Sequence, residues 1–277
     1  MPELPEVEVT KQGIAPIIEG QSITDVVIYD GRLRWPVPIH LKNILTDQKV
    51  RLLRRRGKYI LFEFEHGTMI IHLGMTGVLR IQEITEPPRK HDRVEFQFGN
   101  KVLRLHDPRK FGSIHWHPLS ETPVDDMPML KRLGVEPFGP EFAGALGADL
   151  LFKKSRSRTV SVKEFLLAGQ CVVGVGNIYC SESLFTAGIN PKTPAGKVSL
   201  KRYELLAQAI KLTLEKAIQA GGSSLKDFVN SQGEPGHFMV QTKVYDRTGE
   251  PCYGCEGLIK QIKQGQRSTF YCPNCQK

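Results

Sequence analysis

Two stretches of this 277-residue chain concentrate groups able to do chemistry, one at each end. The first reads Met1-Pro2-Glu3-Leu4-Pro5-Glu6-Val7-Glu8. A small second residue such as proline is one after which the initiator methionine is usually removed, and Pro2 would then carry a free secondary amine. An α-amino group titrates near about 7.7 to 8.0, so roughly a tenth or more is neutral at pH 7, whereas a lysine near about 10.4 offers well under about 0.1%. A secondary amine that condenses with an aldehyde-level carbon gives a permanently charged iminium, which acts as an electron sink for elimination. Glu3, next to the amine, is placed to pass the proton that opens a deoxyribose ring. The same two residues also make an ordinary helix start, and the pair alone does not separate the two readings.

At the other end, four of the six cysteines fall within the last 26 residues as two Cys-x2-Cys pairs with sixteen residues between them. In a reducing compartment Cys252, Cys255, Cys272 and Cys275 at this spacing predict one structural zinc ion in a tetrahedral four-thiolate site. Two disulfides are the alternative. Gly254 in one pair and Pro273-Asn274 in the other suit the tight turns that aim two thiolates at one ion. Cys171 and Cys180 lie among apolar residues and read as packed or partly exposed thiols.

The charge balance narrows the partners. With 38 basic and 29 acidic residues the chain carries a net charge of +9, which draws it to polyanions. The excess is clustered at Arg51, Arg54, Arg55, Arg56 and Lys58, and again at Lys153, Lys154, Arg156, Arg158 and Lys163. Either run is compatible with a solvated surface, but two in separate regions favour nucleic acid. No run of 18 apolar residues and no basic-then-apolar leader is present, so no membrane partner and a cytosolic location are expected.

Residues 4 to 18 are predicted to form a helix, with Pro5 in its first turn, Glu6 and Glu8 near the positive end of its dipole and Pro16 disturbing its later part. From Ser22 to His117 short alternating segments such as Tyr59 to Phe64, Met69 to Leu73, Val94 to Phe98 and Val102 to Leu105 predict a β-sandwich. Prolines 118, 123, 128, 137 and 140 mark a connecting region that holds a short helix from Met127 to Leu133. Helices follow near 147 to 154, 160 to 168, 176 to 187 and 199 to 220, the last ended by Gly221-Gly222. Between the cysteine pairs, Ile259 to Ile262 and Thr269 to Tyr271 read as a hairpin, with Arg267 at or beside its turn.

With these motifs in hand, the chain resembles the formamidopyrimidine-DNA glycosylases, bacterial repair enzymes that remove 8-oxoguanine and ring-opened purines. The resemblance runs from the Pro2 to Glu8 start through Arg56-Gly57-Lys58-Tyr59, His72-Leu73-Gly74-Met75-Thr76-Gly77, Lys90-His91-Asp92 and Asp107-Pro108-Arg109-Lys110-Phe111-Gly112. It continues in Val173-Gly174-Val175-Gly176-Asn177-Ile178-Tyr179 and in Gln266 to Gln276. It implies an α+β fold: an N-terminal β-sandwich flanked by helices (1–120, catalytic), a linker (121–140), a helix-two-turn-helix domain with the lesion-base loop (141–241) and a four-cysteine β-hairpin zinc finger (242–277). The implied activity is base excision repair by a bifunctional glycosylase and abasic-site lyase. Its Pro2 forms a Schiff base, and β,δ-elimination nicks the strand. The implied partner is double-stranded DNA with oxidised purines, bound by a monomer in the bacterial cytosol.

Residue by residue, the resemblance makes Pro2 the nucleophile at C1′, Glu3 the acid that assists ring opening, and Lys58 a proton donor in β-elimination; for Lys58 a plain phosphate contact is the alternative. Arg267 would reach a phosphate at the lesion and serve δ-elimination. An enzyme acting on C1′ of a stacked nucleotide must extrude it and fill the hole. Met75, Arg109 and Phe111 match the void-filling residues, although composition alone would put Met75 and Phe111 in a core. His91 and Arg158 match DNA-contacting positions. Gly174 to Asn177 resembles the phosphate-binding turn, flanked by the basic stretch of Arg158 and Lys163, with Asn177 as a side-chain donor. The segment from Gly222 to Gln241 corresponds to the damaged-base lid. The chain departs from many relatives at Cys180-Ser181-Glu182-Ser183 and at Ala168-Gly169-Gln170. Leu4, with Met75, Arg109 and Phe111, sets it apart from the related endonuclease VIII class, which usually opens with glycine at the position of Leu4 and prefers oxidised pyrimidines.

Overall fold

A computed structural model describes residues 2–223 and 236–277, and within it the chain divides into two compact units, Met1–Lys131 with Ile218–Met239 and Arg132–Ala217 with Val240–Lys277. The sequence-predicted lid segment lies outside the described residues at 224–235.

The first unit is built on ten segments: α1 (Leu4–Ile18), β1 (Asp25–Ile28), α2 (Leu41–Leu45), β2 (Leu52–Arg56), β3 (Tyr59–Glu63), β4 (Gly67–His72), β5 (Val78–Glu83), β6 (Asp92–Phe98), β7 (Lys101–His106) and β8 (Ser113–Pro118). A short α3 (Pro128–Lys131) closes the sequence-continuous part of the unit. Its strands form two antiparallel sheets, in the orders β1-β6-β7-β5 and β2-β3-β4-β8. Val26, Val94, Phe96, Leu103 and Leu105 from one sheet meet Leu53, Ile60, Phe62, Met69, Ile71 and Ile114 from the other in a single core. This is the β-sandwich that the alternating pattern predicts, because period-two burial aims every second side chain at the facing sheet.

Helix α1 adds Val7, Ile14 and Ile18 to that core and packs against β2, β3 and β5. Its start is set by Glu3 at the N-cap, a proline in the first turn and Glu6, whose Oε2 accepts the Glu3 N–H at 2.7 Å, so an orphan donor of the first turn is paired within the helix. Pro16 does not shorten it. The ring removes one N–H, but the helix runs on to Ile18 and the Glu19 N–H still reaches the Ala15 carbonyl at 3.0 Å. The helix expected from Met127 to Leu133 is shorter than predicted, spanning Pro128–Lys131.

The second unit holds α4 (Ala145–Ser155), α5 (Val162–Leu167), α6 (Asn177–Thr186), most of α7 (Leu200–Gln219) and the hairpin β9 (Lys260–Gln264) and β10 (Arg267–Tyr271). Ser161 caps α5 by accepting from Glu164 N at 3.2 Å, and the Glu164 side chain reaches back to the Ser161 backbone. The hairpin closes through Gly265-Gln266, both left-handed at φ 50° and 63°, which is the two-residue turn that matches strand twist. Arg267 is therefore the first paired residue after the turn, opposite Gln264.

Candidate functional site

In the first unit the predicted residues stand at the head of α1 and on the connections β2–β3, β4–β5, β5–β6 and β7–β8. Pro2 and Glu3 are buried at the head of α1. Lys58 sits in the two-residue turn Gly57-Lys58 that joins β2 to β3, where Gly57 takes φ 58° and Arg56 pairs with Tyr59. The basic run around it is not uniformly outward-facing charge. Arg55 Nε donates to Glu8 Oε2 at 2.8 Å, Arg54 bridges Glu63 and Asp125, and Arg51 pairs with Glu65 at 3.3 Å, so much of that charge is balanced inside the unit.

The Tyr59 ring packs tilted, at 4.8 Å and 52°, against His72, the last residue of β4. His72 Nδ1 accepts the Gly74 N–H at 3.0 Å, which leaves the proton of the neutral ring on Nε2. Burial pushes this imidazole down to about 4, with like-charge repulsion from Lys58 and Arg34 adding to the effect. His72 is thus a neutral donor beside Lys58 throughout the physiological range, and it was not singled out from the sequence although it opens one of the matching motifs. Because its folded pKa lies below the unfolded value of about 6.5, the unfolded chain binds the extra proton between those limits. Stability should fall as pH drops from about 6.5 towards 4, by up to about 3 kcal/mol from this ring. Denaturant melts of His72→Gln across that range are expected to show a shallower acid loss than the parent; equal slopes would remove His72 as the cause.

Met75 and Phe111 are 40% and 41% exposed, so neither is a core residue. The loops that carry them are locked together. Gly74, at φ 63°, lies so close to the Phe111 backbone that an added Cβ would stand 2.3 Å from Phe111 C. Asp107, fully buried, accepts Thr76 Oγ1 at 2.9 Å on one carboxylate oxygen and Gly112 N at 2.8 Å on the other. A single carboxylate therefore holds the residue after Met75 and the residue after Phe111. Asp107 escaped notice in the sequence because an acid in a basic motif carries no sign of where its two oxygens point. Arg109 lies over the Phe111 ring at 4.8 Å, a cation–π contact that puts a guanidinium and a half-exposed aromatic ring on one ledge. His91 adopts φ 80° with Nδ1 3.2 Å from Arg93 Nη2.

In the second unit Gly174 takes φ 86° and Asn177 opens α6, so the predicted turn delivers a helix N-terminus without a side-chain cap, a ready place for an anion. Asn177 Nδ2 donates to the Ser268 carbonyl at 3.0 Å. Arg158 and Arg267 are exposed. Lys163 departs from expectation: it is 0% exposed and donates to Ser268 O at 2.9 Å and Thr269 Oγ1 at 2.7 Å. It ties α5 to β10 and is not an outward phosphate contact. Glu182, on α6, accepts the backbone N–H groups of Lys243, Val244 and Tyr245 at 2.8 to 3.0 Å, a clamp that the sequence did not reveal.

The four cysteines converge. Their sulfurs all lie within 4.8 Å of one another, with Cys252 and Cys275 at 3.8 Å and Cys255 and Cys272 at 3.4 Å. A tetrahedron with zinc–sulfur bonds of about 2.3 Å has edges of about 3.8 Å, so the residues present fit one structural zinc ion. The disulfide alternative fails because all four thiols are free. Cys171 and Cys180 are buried.

Comparison with known proteins agrees with this layout. The domain models for the formamidopyrimidine-DNA glycosylase N-terminal domain, the formamidopyrimidine-DNA glycosylase H2TH domain and the zinc finger found in FPG and IleRS match residues 1–114, 133–229 and 249–277. The formamidopyrimidine-DNA glycosylase of Polynucleobacter necessarius is 60% identical over 277 residues and that of Herminiimonas arsenicoxydans 54% over 277, each aligned over 100% of both chains. Among solved structures, Lactococcus lactis Fpg bound to DNA containing an abasic site superposes with a TM-score of 0.89 at 33% identity, and a variant of that protein bound to Fapy-dG-containing DNA with 0.90 at 32%, both over 100% of each chain.

Proposed function

Since the chain belongs to the formamidopyrimidine-DNA glycosylase family, base-excision-repair glycosylases with abasic-site lyase activity, we propose that Pro2, freed by loss of Met1, is its nucleophile. The enzyme acts on DNA carrying oxidised or abasic lesions, and 8-oxoguanine and formamidopyrimidines in duplex DNA are the assigned substrates. It works as a monomer in the bacterial cytosol without a membrane partner; among the described residues no helix is long and apolar enough to cross a bilayer. Residues 1–120 carry the nucleophile and its proton donors, residues 141–241 bind the DNA, and the zinc finger 242–277 adds Arg267 to the DNA contacts and to the second elimination.

The Pro2 nitrogen lone pair forms a bond to C1′ as the bond from C1′ to the base breaks, and the base leaves with that electron pair and a proton. The amine gives up its own proton. The C1′–O4′ pair then moves onto O4′, which takes a proton from Glu3, leaving a C1′ iminium on proline. Solvent takes a C2′ proton, the C2′–H pair flows into the iminium to give an enamine, and the enamine pair then expels the 3′ phosphate with the C3′–O pair, Lys58 supplying the proton that the leaving side needs. A second elimination expels the 5′ phosphate, assisted by Arg267. His72, neutral and with Nε2–H free to donate, joins Lys58 as a phosphate ligand. Met75, Arg109 and Phe111 fill the space left by the extruded nucleotide, Arg109 by hydrogen-bonding the orphaned base. His91, Arg158 and Asn177 contact the backbone, and Cys252, Cys255, Cys272 and Cys275 hold the zinc.

The observation that carries this reading is the Pro2-Glu3 start at the buried head of α1. Borohydride reduction in the presence of abasic or 8-oxoguanine duplex tests it: the Met1-free chain, verified by intact mass, is expected to become covalently joined to the DNA, whereas a non-enzymatic binder of the same charge would not. Absence of trapping overturns the proposal. For the ledge, Phe111→Ala is expected to lower single-turnover excision about 10-fold or more on damaged duplex while sparing cleavage of an abasic site in a single strand, where no stack has to be opened. A variant that kinks and cleaves damaged duplex as well as the parent would remove Phe111 from the assignment.

A further inference from the structure

The carboxylate of Glu6 joins two parts of the first unit that are 217 residues apart in sequence. It is 1% exposed. Its Oε2 accepts the Glu3 N–H at 2.7 Å, while its Oε1 accepts both the N–H of Ser223 at 2.7 Å and the Ser223 hydroxyl at 2.9 Å. Ser223 is also 1% exposed. The approach depends on Gly222, whose φ of 85° and bare Cα let the chain pass against Glu6; a Cβ there would stand 3.2 Å from Oε1. The returning chain is pinned at the same point, with His237 N on Ala220 O at 2.9 Å and Phe238 N on Gly222 O at 3.1 Å. Ser223 is thus held from its own backbone neighbours on one side and delivers two donors to one carboxylate oxygen on the other.

What the other oxygen holds is the consequence. The Glu3 N–H belongs to the peptide that joins Pro2 to Glu3, and a peptide is planar. Fixing that N–H fixes the Pro2 carbonyl in the same plane, and only one backbone rotation, about the Pro2 Cα–C bond, then separates the plane from the direction of the proline amine. A carboxylate free to turn about its Cγ–Cδ bond would let this plane rock. The two donors of Ser223 stop the turn. A nucleophile misplaced by about 1 Å loses roughly 10²-fold in rate, so a device that holds the plane is worth a measurable part of that.

We propose that Ser223, acting through Glu6, is a positioning residue for the Pro2 nucleophile: its hydroxyl and N–H hold the carboxylate that orients the Pro2–Glu3 peptide. The inference rests on the assignment of Pro2 and deepens it. Ser223 touches no reacting atom by this route, and substitution of its side chain removes the hydroxyl donor while leaving the backbone N–H donor to Glu6 in place.

The test uses full-length, zinc-loaded, Met1-free protein as the parent, Ser223→Ala and Ser223→Thr. Borohydride trapping on a preformed abasic-site duplex reads imine formation, single-turnover cleavage of an 8-oxoguanine duplex reads the whole reaction, and titration of a tetrahydrofuran-site duplex reads affinity. Ser223→Ala is expected to slow trapping and cleavage about 10-fold, with Kd and Tm held within about twofold and about 2 °C, and Ser223→Thr to restore both rates. Glu6→Gln, which replaces one acceptor oxygen by a donor, should be slow as well, and its loss should not multiply with that of Ser223→Ala in the double variant. Parental rates in Ser223→Ala overturn the inference, as does a slowing matched by an equal loss of affinity or stability, which is what a merely structural hydroxyl would give. A parent that does not trap overturns the Pro2 assignment itself, a result distinct from a parent that traps beside a Ser223→Ala that traps equally fast.

Discussion

Pro2→Gly, prepared without Met1, is expected to trap on abasic-site DNA at least about 10²-fold more slowly than the parent while binding an uncleavable tetrahydrofuran duplex within a few-fold of it. The loss does not come from basicity, since glycine at the terminus keeps an α-amine that titrates in the same range of about 7.7 to 8.0. It comes from bond count and from position. A primary amine gives an imine that must pick up a proton before it withdraws electrons, whereas the proline adduct is cationic from the moment it forms. The ring also fixes the nitrogen on the buried head of α1, where the Glu3 N–H is held by Glu6, and glycine frees it. Binding should survive because Lys58, Arg109, Phe111 and the second unit's Arg158 and Asn177 do not depend on the ring. Parental trapping by the variant would instead direct attention to a lysine nucleophile.

The contrast between Pro2 and Glu6 shows what a sequence discloses and what it withholds. Pro2, Lys58, Met75, Arg109 and Phe111 stand in motifs, and each motif falls on a helix start or a tight loop whose glycine could be read in advance: Gly57 and Gly74 both take positive φ. The strands and helices were legible for the same reason, since burial follows a period of two or 3.6 along the chain. The residues that hold the site were not. Glu6 looks like an acid favouring a helix dipole, and nothing local marks Asp107 or Glu182, yet Glu6 and Glu182 are buried acceptors of backbone N–H groups far away in sequence and Asp107 joins the Thr76 hydroxyl to the nearby Gly112 N–H. Lys163 misled in the opposite direction, because a lysine among lysines and arginines gives no local sign that its amine ends on Ser268 and Thr269, more than a hundred residues later. Side-chain to backbone bonds across such distances follow from the fold and leave no periodicity behind.

Removal of zinc, by chelation or by Cys272→Ser, is expected to abolish specific DNA binding, with an affinity loss of at least about 10²-fold at fixed salt, while the first unit stays folded. The zinc module has only a handful of buried apolar side chains of its own among the described residues, Val244, Ile259, Phe270 and Tyr271 beside the ligands Cys252 and Cys272, far too few to order a segment of this length without the metal. What the metal orders is the strand β10. Ser268 O receives both Asn177 Nδ2 and Lys163 Nζ, and Thr269 Oγ1 receives Lys163 as well. Gln276 carries the metal's order further, accepting Cys272 N at 2.9 Å and donating to Ile189 O at 2.8 Å. If β10 melts, Arg267 loses its place one residue from Ser268, Asn177 loses the acceptor that orients it at the head of α6, and the fully buried Lys163 loses these two acceptors, hydrogen bonds to a charged donor being worth about 1.5 to 3 kcal/mol each. The damage should therefore spread from the hairpin into α5 and α6. The first unit's core contains none of these residues. Amide exchange on the metal-free protein should show lost protection in β9, β10, α5 and the first turn of α6 and retained protection in β3, β4, β6 and β7. A metal-free Cys272→Ser protein that still binds lesion duplex with parental affinity would confine zinc to the hairpin and break the link from β10 to the turn that opens α6.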